Sequence, residues 1–188
     1  MKANDIFGFF SDIELEQVAI WSKEVPANGV IVEVGSFFGR SSVGWATACD
    51  PSVKVYCIDR FEELSFEFNQ SVPESIPNIN GKFNTFEIFK ENTKDIKNIH
   101  PIKASSVKEL PDIFDKIDIF FIDASHKNPS DLQYILHFNK FIKPGGLICG
   151  HDLGKTFPDV QINVTILEKL YKTKVQRYHN SSLWSIRI

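Results

Sequence analysis

Cysteine is scarce in this chain. There are 3 in 188 residues (Cys49, Cys57 and Cys149), widely spaced and each within or beside an apolar run. That pattern excludes a disulfide framework or a clustered zinc site and fits reduced core thiols of a cytosolic protein. An excess of positive charge is also lacking, with 21 Lys and Arg against 24 Asp and Glu and no basic stripe. Nucleic acid and anionic membrane surfaces are therefore not expected partners. No apolar run approaches the length of a membrane span, and no leader-like segment is apparent, so a cytoplasmic protein is expected. Internal repeats and low-complexity tracts are absent as well. The length suits a single domain, 1–188, with a sizeable core.

What is present centres on Val30-Ile31-Val32-Glu33-Val34-Gly35-Ser36-Phe37-Phe38-Gly39-Arg40-Ser41-Ser42. Four of the first five residues are apolar and β-branched, which predicts a strand buried on both faces. Gly35 and Gly39 bracket a loop, and Arg40 to Cys49 can continue as a helix. Strand, glycine loop and helix in that order place free backbone N–H groups at the carboxyl edge of a sheet, where open α/β sheets bind ligands. A dinucleotide fingerprint G-x-G-x-x-G fails, because its second and third glycines fall on Phe37 and Arg40. A phosphate-binding P-loop fails too, since no Gly-Lys-Ser/Thr follows. Glu33 at the strand end disfavours a phosphate and suits a cationic cofactor.

Upstream, Asp5 to Lys23 carries Ile13, Val18, Ile20 and Trp21 at helical spacing, with Ser11 or Asp12 as the cap. This helix is expected across the sheet or at the cofactor mouth, within an N-terminal helical segment 1–28. Pro26 to Gly29 is a turn. Lys54 to Asp59 is the second strand, and Asp59 ends it about 20 residues beyond the glycine loop, where a carboxylate can accept both ribose hydroxyls. Residues 60–82 break the α/β rhythm with Phe61, Phe66, Phe68, Pro73 and Pro77. Such an insert is either a lid or a docked loop. Phe83 to Lys97 is expected as a helix, and Ile99 to Lys103 as an edge strand that tolerates Pro101. A helix is expected to start within Val107 to Phe114. Ile117 to Asp123 is the central strand, and Ser130 or Asp131 caps a helix from Leu132 to Ile142. Lys143 to Gly146 turns into the strand Leu147 to Cys149. Pro158 to Tyr171 is a last helix, and Lys174 to Tyr178 with Leu183 to Ile188 form a closing hairpin. The pattern predicts an α/β, doubly wound, mostly parallel seven-stranded sheet with a C-terminal antiparallel hairpin.

Two strand ends carry chemistry: Asp123 with His126, and His151 with Asp152. Adjacent parallel strands would bring two carboxylates and one or two imidazoles into one cleft. Oxygen ligands with imidazole suit Mg²⁺ or Mn²⁺, and more imidazole shifts the preference toward Zn²⁺ or Fe²⁺. With these motifs on the page, the chain resembles the class I S-adenosylmethionine (SAM) methyltransferases, with their Rossmann-like fold. It is similar to the small O-methyltransferases of the catechol O-methyltransferase and macrolide-sugar or cephalosporin-type groups. The likeness runs from about Val25 to the C-terminus and includes Ile142-Lys143-Pro144-Gly145-Gly146-Leu147-Ile148. It implies that Glu33, Gly35, Ser36 and Gly39 line the methionine end of SAM and that Ser41 binds its carboxylate. Asp59 would hold the ribose, Arg60 and Phe61 would flank the adenine, and Ser105 and Ser106 would bound it opposite. Asp123, counted also with the cofactor residues, joins His151 and Asp152 at the metal-ligand positions, and His126 stands in the place of a general base. The relatives usually carry an acid, or Asp-Asn, where this chain has His151-Asp152, which weakens the expectation of Mg²⁺. The implied acceptor is a small hydroxylated molecule, sugar or aromatic ring, and the implied assembly a homodimer. Three other readings remain open: an NAD(P)-dependent oxidoreductase, a methyltransferase acting on nucleic acid or protein, and a non-catalytic SAM-binding protein.

Overall fold

Alternation within each apolar run decides which side of the sheet a residue meets. The computed structural model describes residues 2–65, 72–73 and 75–188. In chain order its strands are β1 (Val30–Val34), β2 (Lys54–Asp59), β3 (Glu63–Ser65), β4 (Lys82–Asn84), β5 (Ile99–Lys103), β6 (Ile117–Ile122), β7 (Ile142–Gly150), β8 (Gln176–Arg177) and β9 (Trp184–Arg187). The helices are α1 (Asp12–Lys23), α2 (Arg40–Ala48), α3 (Thr85–Thr93), α4 (Ser130–Phe138) and α5 (Pro158–Tyr171). The main sheet runs β5-β2-β1-β6-β7-β9-β8, parallel through β7, with β9 and β8 antiparallel; β3 and β4 form a separate antiparallel pair. This is the doubly wound seven-stranded sheet with a closing hairpin that the sequence predicts.

Both faces are covered. Ile31, Cys57, Ile119 and Phe121 pack with Val18, Trp21, Val43 and Trp45 from α1 and α2. Val32, Val34, Phe120 and Ile122 pack with Phe138, Val164 and Leu167 from α4 and α5. Each fully buried side chain of this kind contributes ~1.5–3 kcal/mol by leaving water. The register then fixes the functional edge. Val34 pairs with Ile58 and with Ile122, and Ile122 pairs with Gly150. The residues that follow β1, β2, β6 and β7 therefore emerge side by side.

Several boundaries differ from expectation, each for a local reason. The first helix begins at Asp12, not Asp5: Ser11 caps it by accepting the Glu14 N–H, and Glu14 reciprocates at the Ser11 N–H. Residues before it form one 3-10 turn (Ala3–Asp5) and an irregular strap. Ile13 and Ile20 are half exposed, while Val18 and Trp21 are buried. The helix expected from Phe83 to Lys97 is shorter, because Asn84 caps it by accepting the N–H groups of Phe86 and Glu87. Val107 to Phe114 makes only a 3-10 turn at Val107–Glu109; Pro111 lacks a donor and pushes Leu110 out of the helical region. Neither Ser130 nor Asp131 caps α4. It starts at Ser130 after Pro129, and the Asp131 carboxylate instead accepts from the backbone and hydroxyl of Ser125. Lys143 to Gly146 belongs to β7 rather than to a turn, at the irregularity where β6 and β7 shift register.

Gly35 is the tightest point of the edge. Its φ is +94°, and a Cβ there would lie 1.8 Å from the Asp123 carbonyl oxygen. At Gly145, where φ is +80°, a Cβ would meet nothing within 4 Å. Gly145→Ala should therefore cost only the conformational strain of about 1–2 kcal/mol. Gly35→Ala should lower the urea midpoint clearly more, because backbone must move; equal losses in the two variants would contradict the close approach.

Candidate active site

A cavity of about 790 Å³ opens at the carboxyl edge of β1, β2, β6 and β7. Gly35, Ser36, Asp59, Arg60 and Ser105 line one end, and Asp123, His126, His151, Asp152 and Phe157 the other. Phe7, Phe9, Phe10, Phe37 and Ser41 also line it. Asp59 is held by backbone: its carboxylate accepts the N–H groups of Phe37 and Phe61, each at 2.9 Å. The second lone pair of each oxygen stays available to hydroxyl donors. Ser105 is fixed through its N–H and hydroxyl on Glu109 at 2.8 and 2.7 Å.

Four of the sequence-predicted residues do not line this cavity. Glu33 shares its strand parity with Ile31, so it points down toward α2, fully buried, and accepts the Ser42 hydroxyl. Burial pushes its carboxyl up from the usual range, against the opposing effect of the Ser42, Ser41 and Ser36 hydroxyls around it. Gly39 caps α2 at φ +93° and faces Phe89. Phe61 packs on Phe86 and Phe89, with ring centroids 4.7 and 5.0 Å away. Ser106 lies outside the lining. Of the expected lid, Glu62 and Leu64 border the cavity, whereas Phe66 and Phe68 lie outside the described residues.

The other end is a cluster of titratable groups. Nε2 of His126 lies 3.0 Å from both Asp123 Oδ1 and Asp152 Oδ2. Nδ1 of His151 is 3.3 Å from Asp152 and 3.7 Å from Asp123 but aligns with neither, and stays buried without a hydrogen-bond partner. Its Nε2 meets Glu14 Oε1 at 3.0 Å. Against the lowering effect of burial, the two aspartates raise His126 to about 9. Asp152, Glu14 and Asp123 likewise outweigh burial at His151 and raise it to about 10. Burial would raise Glu14, but His151 and Ser11 pull it down to about 2. Asp152 is held well below the carboxylate range by the two imidazoles despite burial. His126 and Asp152 both adopt left-handed backbone, φ 57° and 60°, a conformation that persists where surroundings enforce it.

Sequence reasoning missed Glu14, Tyr134, Phe157 and the strap Phe7 to Phe10. Neither Glu14 nor Tyr134 carries a local signal that sets it apart from its neighbours in the expected helices. Only the strap's place near the mouth had a signal, in the helix expected there.

A family model described as a methyltransferase domain matches residues 32–153. The chain belongs to this family. No curated protein matches the sequence. Among solved structures, the methyltransferase is similar to a candidate caffeoyl-CoA O-methyltransferase from Staphylococcus aureus (15% identity, 98% of this chain and 86% of that one, TM-score 0.70). An O-methyltransferase from Bacillus cereus in complex with SAH gives 15%, 99% and 86%, and TM-score 0.64. A precorrin-6y C5,15-methyltransferase from Geobacter metallireducens gives 14%, 99% and 93%, and TM-score 0.64. At these identities the likeness establishes the fold, the Rossmann-like methyltransferase fold.

The charge pattern sets a pH window for stability. Glu14 is depressed, so its contribution is present above its ordinary 4.5 and is lost as pH falls toward about 2. His126 and His151 are raised, so theirs is full below the ordinary 6.5 and is lost as pH rises through about 9 and 10. The denaturation midpoint should thus peak between pH 4.5 and 6.5 and decline on both sides. A midpoint still rising from about pH 7 to about pH 9 would contradict these shifts.

Proposed function

We propose that this methyltransferase uses SAM as methyl donor and a hydroxyl of a small molecule as acceptor. The observation that carries this reading is a single cavity with a ribose-type carboxylate, Asp59, at one end and an acid–base cluster at the other. SAM supplies an electrophilic methyl carbon on a sulfonium. Asp59 accepts from the ribose hydroxyls, Gly35 and Ser36 form the floor, and Ser41 at the start of α2 meets the carboxylate of the methionine end, a suitable place for an anion. Arg60, Ser105 and Tyr134 border the base. Ser36 Oγ is buried without a partner in the cavity lining, which fits a hydrogen-bonding ligand there. Glu33, Gly39, Phe61 and Ser106 support the site without lining it.

An attacking alcohol must lose a proton, and that favours oxygen as the accepting atom at a site built from imidazoles and carboxylates. His126 Nε2 would take the proton once a cation shared by the two aspartates has released its own, a role worth ~10²–10⁴-fold. Much of the remaining acceleration comes from holding the acceptor oxygen in line with the methyl carbon. The donor set also fits a divalent cation such as Mg²⁺. Oxygens and nitrogens of Asp123, His126 and Asp152 lie within 4.8 Å of one another, and the unpartnered His151 Nδ1 faces the same carboxylates. Held by Asp123, His151 and Asp152, a cation would lower the acceptor's pKa and remove the electrostatic hold on the His126 proton. The acceptor is small, since the site is a cavity rather than an open basic face. Among the described residues no helix is long and apolar enough to cross a membrane.

Release of S-adenosylhomocysteine (SAH) across a panel of hydroxylated acceptors should identify the substrate. With it, His126→Ala should lower kcat by ~10²–10⁴ while calorimetry shows SAH affinity nearly unchanged. Equal loss of turnover and affinity would refute the assignment of the base.

A further inference from the structure

We infer that Glu14, on a helix outside the family-matched residues, is a positioning residue that sets which nitrogen of His151 faces the two aspartates. The inference rests on the cation reading above. Glu14 is 6% exposed, and its two oxygens do separate work. One serves the helix cap by accepting from Ser11. The other, Oε1, meets His151 Nε2 at 3.0 Å and accepts also from the Ser181 hydroxyl at 3.0 Å and the Ser182 N–H at 3.3 Å. Three donors converge on that one oxygen, so its position is fixed from both α1 and the loop before β9.

A carboxylate only accepts hydrogen bonds. Facing it, His151 Nε2 must carry hydrogen, and in the neutral ring the lone pair is then on Nδ1. That atom is the buried, unpartnered one, 3.3 and 3.7 Å from Asp152 and Asp123. Phe10 stacks on the ring at 4.7 Å and 23°, fixing its plane. The result is a carboxylate–imidazole pair whose Nδ1 is aimed between two carboxylates; with a cation in place of the Nδ1 proton, this is the arrangement that orients a metal-ligating histidine and raises its basicity. The strap and α1 thereby complete a site whose other groups all come from strand tips.

Glu14→Gln tests this without removing the cap, because glutamine also serves in a capping box. Its amide N–H₂ would then face Nε2 and drive the hydrogen to Nδ1. Mn²⁺ titration followed by electron paramagnetic resonance should show binding weakened ~10–100-fold in Glu14→Gln, with SAH affinity by calorimetry unchanged. Nitrogen-15 spectra of His151 should report the exchanged tautomer. Ser11→Ala, which weakens the cap but leaves the pair, should bind Mn²⁺ as the wild type does. Equal Mn²⁺ binding by wild type and Glu14→Gln overturns this assignment alone, as does equal weakening by Ser11→Ala. Wild-type protein that binds no Mn²⁺ overturns the cation reading and this assignment with it.

Discussion

The parallel ladder of β2, β1, β6 and β7 is the constraint on which the site depends. Because Val34, Ile58, Ile122 and Gly150 pair across it, every functional group one or two residues further on leaves the sheet at the same level. A slip of one residue would reverse the side on which each apolar residue lies and set Phe120 and Phe121 against the wrong helices. Core burial and site geometry are thus one requirement. Gly35 tightens it further, since only a residue without a Cβ lets the β1 loop lie against the end of β6.

At this edge the protein buries more charge than it needs for folding. Glu14, Asp123 and Asp152 surround His126 and His151, with separations of 3.0 to 3.7 Å. Partly buried ion pairs of this sort give little net stability, because desolvation offsets attraction. Four of these groups line one cavity and Glu14 stands behind His151, a set that the proposed function reads as a proton acceptor and carboxylates for a cation. The opposite end of the cavity is quieter, with Asp59 held by two backbone N–H groups. In the proposed function the two ends divide the labour between binding the donor and activating the acceptor.

Much of this was legible in the sequence because strand parity and strand ends are local signals. The runs at Val30, Lys54 and Ile117 gave their strands directly, and Asp59, Asp123, His126, His151 and Asp152 all reach the cavity from strand ends. Glu33 was misplaced because a strand-end carboxylate can face either the crevice or the helix beneath, and its parity with Ile31 puts it beneath. Phe61 and Gly39 turned out to be packing residues, since adjacency to a binding residue says nothing about direction. Glu14 was illegible for another reason. Its partner His151 is distant in the chain, and no local pattern announces the pair. Contacts of that kind belong to the folded molecule alone.

The central claim is that the aligned strand tips form a nucleoside–sulfonium pocket anchored by Asp59. Isothermal calorimetry of SAH against the wild-type protein and Asp59→Ala, with NAD⁺ as comparator, tests it most directly. The account predicts saturable one-site SAH binding by the wild type, strong weakening in a folded Asp59→Ala variant, and no heat from NAD⁺. Binding of NAD⁺ but not SAH, or SAH binding indifferent to Asp59, would contradict it.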